Sequence, residues 1–364
     1  MKKVLLFFTA AAVLAACAKT EVIPVQNVAE QEITFETSPI TKTAADNQKD
    51  FGKKNVFASY AYYHKSAWNW GGTQDDTPAL YIGTQDATTQ VYTPATISWV
   101  GDATTGVWKD ATRSYYWPKD GKLTFFAWSL NKENLDFAKP STTSYAQTQI
   151  TVSPKTGIYM MYYDVVTDKN VDFLVAEVAA DKTKNENEYY RQGVPTLFKH
   201  KLTMIDFTAK VKDAAYATNG VTFALDTIKF RNVSDGVGYY MQYPEKLAAS
   251  SNLTTQIYTE EKQAVTSTVA NIPCADQYIY IPQEFTKDTQ VVQISYTVSY
   301  DTNHDGTPDF SEKITETKKL SELTGNWGIG KKYTINIIFS LDEILWDPAV
   351  EDWDAVAGKD VTVG

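Results

Sequence analysis

The sequence predicts an all-β chain, and three observations lead to that prediction. Apolar and polar residues alternate with a period of two in several stretches, among them residues 205–211, 292–300 and 333–341. Such alternation buries one face of a strand and leaves the other face in water. Thr, Tyr, Val and Phe are common, and clusters of Gly, Pro, Asn and Asp interrupt the runs, as in antiparallel β-sandwiches. Helical period is confined to short turns, which we expect at residues 246–249 and 321–323.

The composition indicates a folded protein and argues against a nucleic-acid partner. The chain has 364 residues, of which 43% are hydrophobic and 13% aromatic, so a sizeable apolar core is expected. Its formal net charge is −10, and no basic stripe is present. Because phosphate backbones repel an acidic surface, we expect no binding to nucleic acid.

The first residues predict export. Lys2 and Lys3 precede an apolar run that ends in Leu-Ala-Ala before Cys17, and this run is short for a transmembrane helix. Residues 1–16 are therefore predicted to be a signal peptide, and Cys17 in a lipobox-like sequence is predicted to carry the lipid. The alternative is an ordinary secretory signal with an incidental Cys17. Residues 17–31 are polar and predict a lipidated tether.

The remaining chain is predicted to form two sandwiches. Strand-like runs begin at residues 32–37 and continue to 171–178, and a charged, Asn-rich connector follows at residues 181–192. A second set of runs extends from residue 197 to residue 341. We place the boundary near residue 194, which gives an N-terminal β-sandwich at 32–194 and a C-terminal β-sandwich at 195–364.

Four stretches carry a resemblance to a known family. They are the cysteine at the lipobox with residues 32–37 and 40–44, then 115–118 with 123–128, then 172–176 with 198–202, and last 330–333 with Ile344 and Trp353. In this order the stretches resemble the fimbrillin family of Bacteroidales, the subunits of type V pili, including the minor-fimbrillin-like lipoproteins.

The resemblance implies two transthyretin-like sandwiches and a route to the outer membrane as a lipoprotein. It also implies that a trypsin-like protease removes the lipid together with the first strand, whose inward side chains would be Ile33 and Phe35. The cleavage site would follow Lys42, where the family usually has arginine; the first arginine of this chain is Arg113. If the lipid stays, the protein would serve as an anchor at the pilus base or as a surface lipoprotein.

Removing a strand leaves a groove of unpaired backbone groups that another chain can fill, and repeated head to tail this contact builds a filament. The donor would be residues 344–363, whose apolar side chains are Trp346, Val350, Trp353, Val356, Val361 and Val363. The alternative for this stretch is a terminal strand that packs on its own domain.

One loop fits a calcium-binding pattern. Its oxygen-bearing side chains are Asp301, Asn303, Asp305, Asp309 and Glu312, at the spacing D-x-[DN]-x-[DN]-G-x5-E. The flanking runs are strands instead of helices, and Pro308 departs from the helix–loop–helix form. A hairpin turn between two strands is therefore the alternative. No cofactor is required by this interpretation, and calcium is the one cation suggested.

Two tryptophans are candidates for contact with a ligand or partner. Trp68 and Trp70 flank a Gly-Gly sequence after a Tyr-rich run, and exposed aromatic faces stack on sugars or proteins. The alternative is that they pack in the core. No G-x-S-x-G turn, phosphate-binding loop or metalloprotease histidine pair is present in the sequence.

The sequence thus predicts a structural and adhesive pilus subunit at the cell surface, without catalysis. Its partners would be other pilin subunits, the outer membrane through the lipid anchor, and a host or bacterial receptor. The second hypothesis is a monomeric lipoprotein that binds glycan or protein through Trp68 and Trp70.

Overall fold

The computed structural model describes residues 31–37, 51–69, 77–88, 92–130, 150–153, 157–164, 171–184, 193–240, 245–249, 253–259, 262–272, 279–342 and 344–353. Within these ranges nearly every regular element is a strand, so the predicted all-β class is confirmed. None of the helices in these ranges has the length and apolar character needed to cross a membrane.

The strands that precede the predicted boundary near residue 194 are mostly short. They are β1 (Phe35–Glu36), β2 (Phe57–His64), β3 (Ala79–Ile82), β4 (Thr84–Gln85), β5 (Tyr92–Thr93), β6 (Ala95–Val100), β7 (Val107–Asp110), β8 (Lys122–Ser129), β9 (Ile150–Ser153), β10 (Gly157–Asp164), β11 (Leu174–Ala176) and β12 (Ala179–Lys182).

The second half has longer strands and two short helices. The elements are β13 (Val194–Pro195), β14 (Phe198–His200), β15 (Thr203–Val211), α1 (Ala215–Thr218), β16 (Val221–Ser234), β17 (Gly236–Tyr240), β18 (Lys246–Ala249), β19 (Leu253–Thr259), β20 (Gln263–Val265), β21 (Ala270–Asn271), β22 (Ile279–Tyr280), β23 (Val291–Tyr300), β24 (Phe310–Lys319), α2 (Leu320–Leu323), β25 (Lys331–Phe339) and β26 (Ile344–Asp352). The helical turn expected at 321–323 is confirmed as part of α2, whereas the one at 246–249 is wrong. Those residues form β18 because they pair with β17.

A sheet of ten strands, counted within the described ranges, takes eight of them from the first half and adds β13 and β14 from the second. Its main path runs in the order β13-β1-β7-β6-β2-β8-β11-β14. The central strand β2 is buried on both faces: Phe57 and Ala61 face one core cluster, whereas Tyr60 and Tyr62 face another. Since only two residues separate β13 from β14, the two ends of this strand order lie next to each other in the chain.

A four-stranded sheet joins residues from the two sides of the predicted boundary. Its order is β18-β17-β10-β9, so the hairpin of β17 and β18 pairs with β10 of the first half. Val237 and Tyr239 of this hairpin share a buried cluster with Tyr60 and Trp128. The two halves are therefore interleaved here, and the division into two domains at residue 194 stays a prediction.

The rest of the second half is a pair of five-stranded sheets, counted over the described residues. One contains the order β21-β15-β25-β26 and the other β19-β16-β23-β24. Their inner faces meet in one apolar cluster, to which β15 contributes Ile205 and Phe207, and β23 contributes Val292 and Ile294. The predicted alternation of buried and wetter positions is confirmed along β15 and most of β23 and β25.

Candidate functional site

The first described segment is inserted between two other segments of the ten-stranded sheet. On one side the backbone N–H of Ile33 donates to the carbonyl of Tyr115 at 2.7 Å, and Phe35 pairs with Trp108. On the other side β1 runs parallel to β13, and Val194 donates to the carbonyl of Thr34 at 2.7 Å. We call the position that residues 31–37 fill the β1 slot; its walls are residues 107–117 and 193–196.

The side chains of this segment lie in the core. Ile33 is 3% exposed and Phe35 is 4% exposed. The Phe35 ring meets Phe57 edge-on at 5.5 Å and Phe125 at 5.9 Å between ring centroids. Burial of one such side chain contributes about 1.5–3 kcal/mol relative to its exposure to water. A chain without this segment would therefore expose a large apolar face.

Polar contacts hold the start of the segment. The carboxylate of Glu32 accepts hydrogen bonds from Lys109 at 3.0 Å and from the Ser114 hydroxyl at 2.6 Å. Burial alone would raise the pKa of Glu32, but the hydrogen bonds from Ser114 and Lys109 outweigh it and lower that pKa below its ordinary value. Glu36 has no such compensation, so burial raises its pKa. The segment is thus fixed by one charged anchor as well as by its backbone.

Gly193 shapes one wall of the β1 slot. Its φ is +105°, and a Cβ atom there would lie 2.7 Å from the backbone carbonyl carbon of Phe35 and 2.9 Å from its nitrogen. A side chain at this position would therefore push against the β1 backbone, which cannot move aside as a flexible side chain can. Glycine permits both the unusual φ and the close approach.

Loss of the inserted segment would leave backbone groups on the walls of the β1 slot unpaired. Without residues 31–37, the N–H groups of Val194, Thr196 and Trp117 and the carbonyl of Tyr115 would lose their partners. Unpaired backbone groups along an apolar groove favour the addition of an extended strand from another chain.

The structure divides the predicted donor segment. Trp346 and Val350 lie on β26, which pairs antiparallel with β25 over nine residue pairs from Phe339↔Ile344 to Lys331↔Asp352. Trp346 packs against the C-terminal core, whereas Val350 is 52% exposed. Residues 344–352 are thus a strand of the sheet that contains β15 and β25, which is the alternative of a terminal strand that packs on its own domain. Val356, Val361 and Val363 lie outside the described residues.

The end of the described chain contacts the ten-stranded sheet at β14. The Trp353 ring stacks on the His200 ring with 4.0 Å between centroids and an angle of 4° between the planes. The Trp353 N–H donates to the carbonyl of Gly330 at 2.7 Å. The sequence placed His200 and Trp353 in two separate stretches of the family resemblance, and no local pattern indicated that they meet.

Cys17 and Lys42 lie outside the described residues, so lipidation and cleavage stay predictions. Trp70 also lies outside them. Trp68 is half-buried and packs on Tyr62, His64 and Phe126, and its backbone N–H donates to Asp181 at 3.0 Å. The packing of Trp68 agrees with the core alternative better than with an open aromatic platform.

The five predicted calcium ligands lie at the hairpin between β23 and β24. They are Asp301, Asn303, Asp305, Asp309 and Glu312. Asp301 accepts a hydrogen bond from the Gly306 N–H at 2.9 Å and Asp309 one from the Thr302 N–H at 2.8 Å, while Glu312 lies on β24. Across the described residues, no group of three or more His, Cys, Asp or Glu is arranged to hold a metal ion. Calcium binding stays a prediction.

The chain matches one family model, and its fold resembles solved structures. A family model described as fimbrillin-like matches residues 66–353. No curated protein matches the chain. The fold is similar to the crystal structure of a fimbrial protein from Bacteroides vulgatus, with a TM-score of 0.61, 16% identity, and coverage of 89% of this chain and 99% of that one. A candidate cell adhesion protein from Bacteroides uniformis has a TM-score of 0.47 and 14% identity over 88% of this chain and 98% of its own.

Proposed function

Because this chain belongs to the fimbrillin-like family, we propose that it is a structural subunit of a cell-surface pilus that assembles by strand exchange at the β1 slot. The observation that carries the proposal is the insertion of residues 31–37 between two walls of the ten-stranded sheet. The segment has backbone partners on both sides and two buried apolar side chains. It is therefore a strand whose loss creates a groove for a replacement.

The proposed route begins with export and ends with cleavage. Lipid on Cys17 would hold the subunit on the outer membrane, and the polar residues after it would act as a tether. Cleavage after Lys42 would separate the tether and β1 from the rest of the chain. Lysine in place of the usual arginine requires a protease that accepts either basic side chain. A subunit that escapes cleavage would stay at the membrane as an anchor.

We propose that the donor begins after Trp353. Donation of β26 would break its nine residue pairs with β25, and β25 would become the exposed edge of that sheet. Donation of the residues that follow Trp353 breaks none of these pairs. Val356, Val361 and Val363 would then replace Ile33 and Phe35 in the slot of the next subunit. This contact joins different surfaces of two copies and does not close, so it extends into a filament.

The proposed role is structural and non-enzymatic, with neighbouring subunits as the main partners and a receptor on a host or bacterial surface as a further one. The alternative of a monomeric glycan-binding lipoprotein has less support, because Trp68 packs on Tyr62, His64 and Phe126.

Truncation tests this proposal. A chain that begins at Thr43 lacks β1 and should form fibres visible by electron microscopy, whereas the uncleaved mature chain should stay monomeric. The matched control begins at Thr43 and also lacks residues 354–364. This control has the open slot without the donor, so we expect monomers; fibres from it would contradict strand donation.

A further inference from the structure

A cavity lies where the hairpin of β17 and β18 meets two loops of the second half. It measures about 670 Å³, within the range of about 300–1,000 Å³ that is typical of small-molecule sites. Leu247 and Ala249 line it from β18, and the loops at residues 282–290 and 326–329 supply most of its other lining residues. We call this space the Gln290 cavity.

The two loops of the Gln290 cavity are joined to each other and to the core. Gln283 and Trp327 exchange backbone hydrogen bonds at 3.0 Å and 2.9 Å. The Trp327 ring is 2% exposed and meets Phe230 edge-on at 5.1 Å and Phe285 at 4.9 Å between ring centroids. Oε1 of Gln283 accepts from the Ser234 N–H at 2.8 Å. Walls that are fixed before a ligand arrives reduce the entropic cost of binding it.

Two carboxamide side chains supply oriented donors. Gln290 is 4% exposed, and its Oε1 accepts from the backbone N–H groups of Thr286 and Lys287, both at 3.0 Å. Oδ1 of Asn326 accepts from the Phe285 N–H at 3.2 Å. Among the described residues, the amide nitrogens of Gln290 and Asn326 have no acceptor. Because a buried donor without an acceptor is unfavourable, these groups favour a ligand that brings acceptor oxygens.

The remaining lining residues narrow the chemistry of that ligand. Lys287 and Glu284 are exposed and, within the described part of the chain, take part in no ion pair. The Lys287 ammonium adds a charged donor to the two amides, a set that suits a carboxylate. Glu284 can accept from hydroxyl groups. Leu247, Pro282 and Ile329 supply apolar surface for the carbon atoms of a ring.

We propose that the Gln290 cavity binds an acidic sugar, such as a uronic or sialic acid unit of a surface glycan. Its carboxylate accepts from the amides of Gln290 and Asn326 and from Lys287, and its hydroxyl groups donate to Glu284. The inference goes beyond the proposed pilus role and does not depend on it, because no residue of the β1 slot lines the cavity. A subunit with this site attaches to glycans that carry such an acid.

Binding of free sugars by the uncleaved mature chain tests the proposal. Saturation-transfer NMR titrations compare glucuronic acid and N-acetylneuraminic acid with glucose, which lacks the carboxylate. We expect at least one of the acids to bind about tenfold more tightly than glucose, as for the loss of hydrogen bonds to a charged group. Failure of both acids to exceed glucose would overturn the proposal. Equal or tighter binding of N-acetylalanine, a carboxylate without a sugar ring, would overturn it as well.

Two variants keep the structural role of each amide and remove its donor. Gln290→Glu retains an oxygen for the N–H groups of Thr286 and Lys287, and Asn326→Asp retains one for Phe285. Each replaces an amide donor with an anionic oxygen, so we expect binding of the acid to weaken about tenfold or more. Asn326 is exposed, so Asn326→Asp tests the site even if Gln290→Glu folds poorly. Lys287→Ala should weaken binding about threefold, because that side chain is exposed.

Gln293→Glu on β23 is the matched control, because it adds the same charge at a position that does not line the cavity. It should leave sugar binding unchanged. Unchanged binding in Asn326→Asp would overturn the proposal, and so would an equal loss in Gln293→Glu. Fibres from the chain that begins at Thr43, without sugar binding, would overturn this inference alone. Sugar binding without fibres would support it and contradict assembly by strand donation.

Discussion

The two terminal strands of the described chain differ in how they are held. β1 is two residues long and lies inside a sheet, with its apolar side chains in the core. β26 is nine residues long, lies at the edge of its sheet, and has mostly exposed or half-buried side chains. The shorter strand therefore fills a groove between two other strands, whereas loss of the longer one would uncover a sheet edge and the core contacts of Ile344 and Trp346. Length is thus a poor guide to which strand can be exchanged; burial and position in the sheet decide it.

The largest expected difference between the two strands concerns apolar burial. Phe35→Ala removes a buried ring from contact with Phe57 and Phe125 and should cost about 3–5 kcal/mol of unfolding free energy, as for other buried Phe. Val350→Ala on β26 should change stability by less than about 0.5 kcal/mol, because that side chain is exposed. Urea denaturation of both variants measures the two values. Equal costs would show that β1 does not fill a groove.

A smaller effect is expected at the wall of the slot. Gly193→Ala should displace β1, because the added Cβ would meet the Phe35 backbone and φ is positive. Gly306→Ala is the matched control: its φ is +87°, but nothing lies within 4 Å of the added atom. Both variants carry backbone strain of about 1–2 kcal/mol, and only Gly193→Ala adds the clash.

Limited proteolysis between residues 38 and 50 reports the position of β1 in these glycine variants. We expect cleavage to be several-fold faster in Gly193→Ala than in Gly306→Ala. Equal rates would mean that close approach of Gly193 does not position the segment.

Sequence patterns predicted the C-terminal sheets better than the N-terminal ones, and the reason is burial. β15 and β25 have one buried face, so their alternation is visible in the sequence. β2 and β8 are buried on both faces, which removes the alternation. The hairpin of β17 and β18 pairs with β10 in the other half, and no local signal specifies so distant a partner. The helical turn predicted at 246–249 was wrong because those residues pair with β17.

The candidate site was also predictable only in part. Residues 32–37 were predicted as a strand from the sequence, and the resemblance to fimbrillins implied that Ile33 and Phe35 face inward; both side chains are buried. The walls of the slot come from distant segments, and the role of Gly193 depends on a close approach that only the fold reveals. The contact between His200 and Trp353 likewise joins residues far apart in sequence. The family model begins at residue 66, so it does not include β1.

Peptide competition shows whether another strand can replace β1. The chain that begins at Thr43 is incubated alone or with excess peptide of residues 31–42, and fibres are followed by electron microscopy. We expect this peptide to refill the slot and prevent fibres, and we expect a peptide with Ile33→Ser and Phe35→Ser to leave fibre formation unchanged. Equal fibre formation with either peptide would show that the side chains of Ile33 and Phe35 do not direct a strand into the slot.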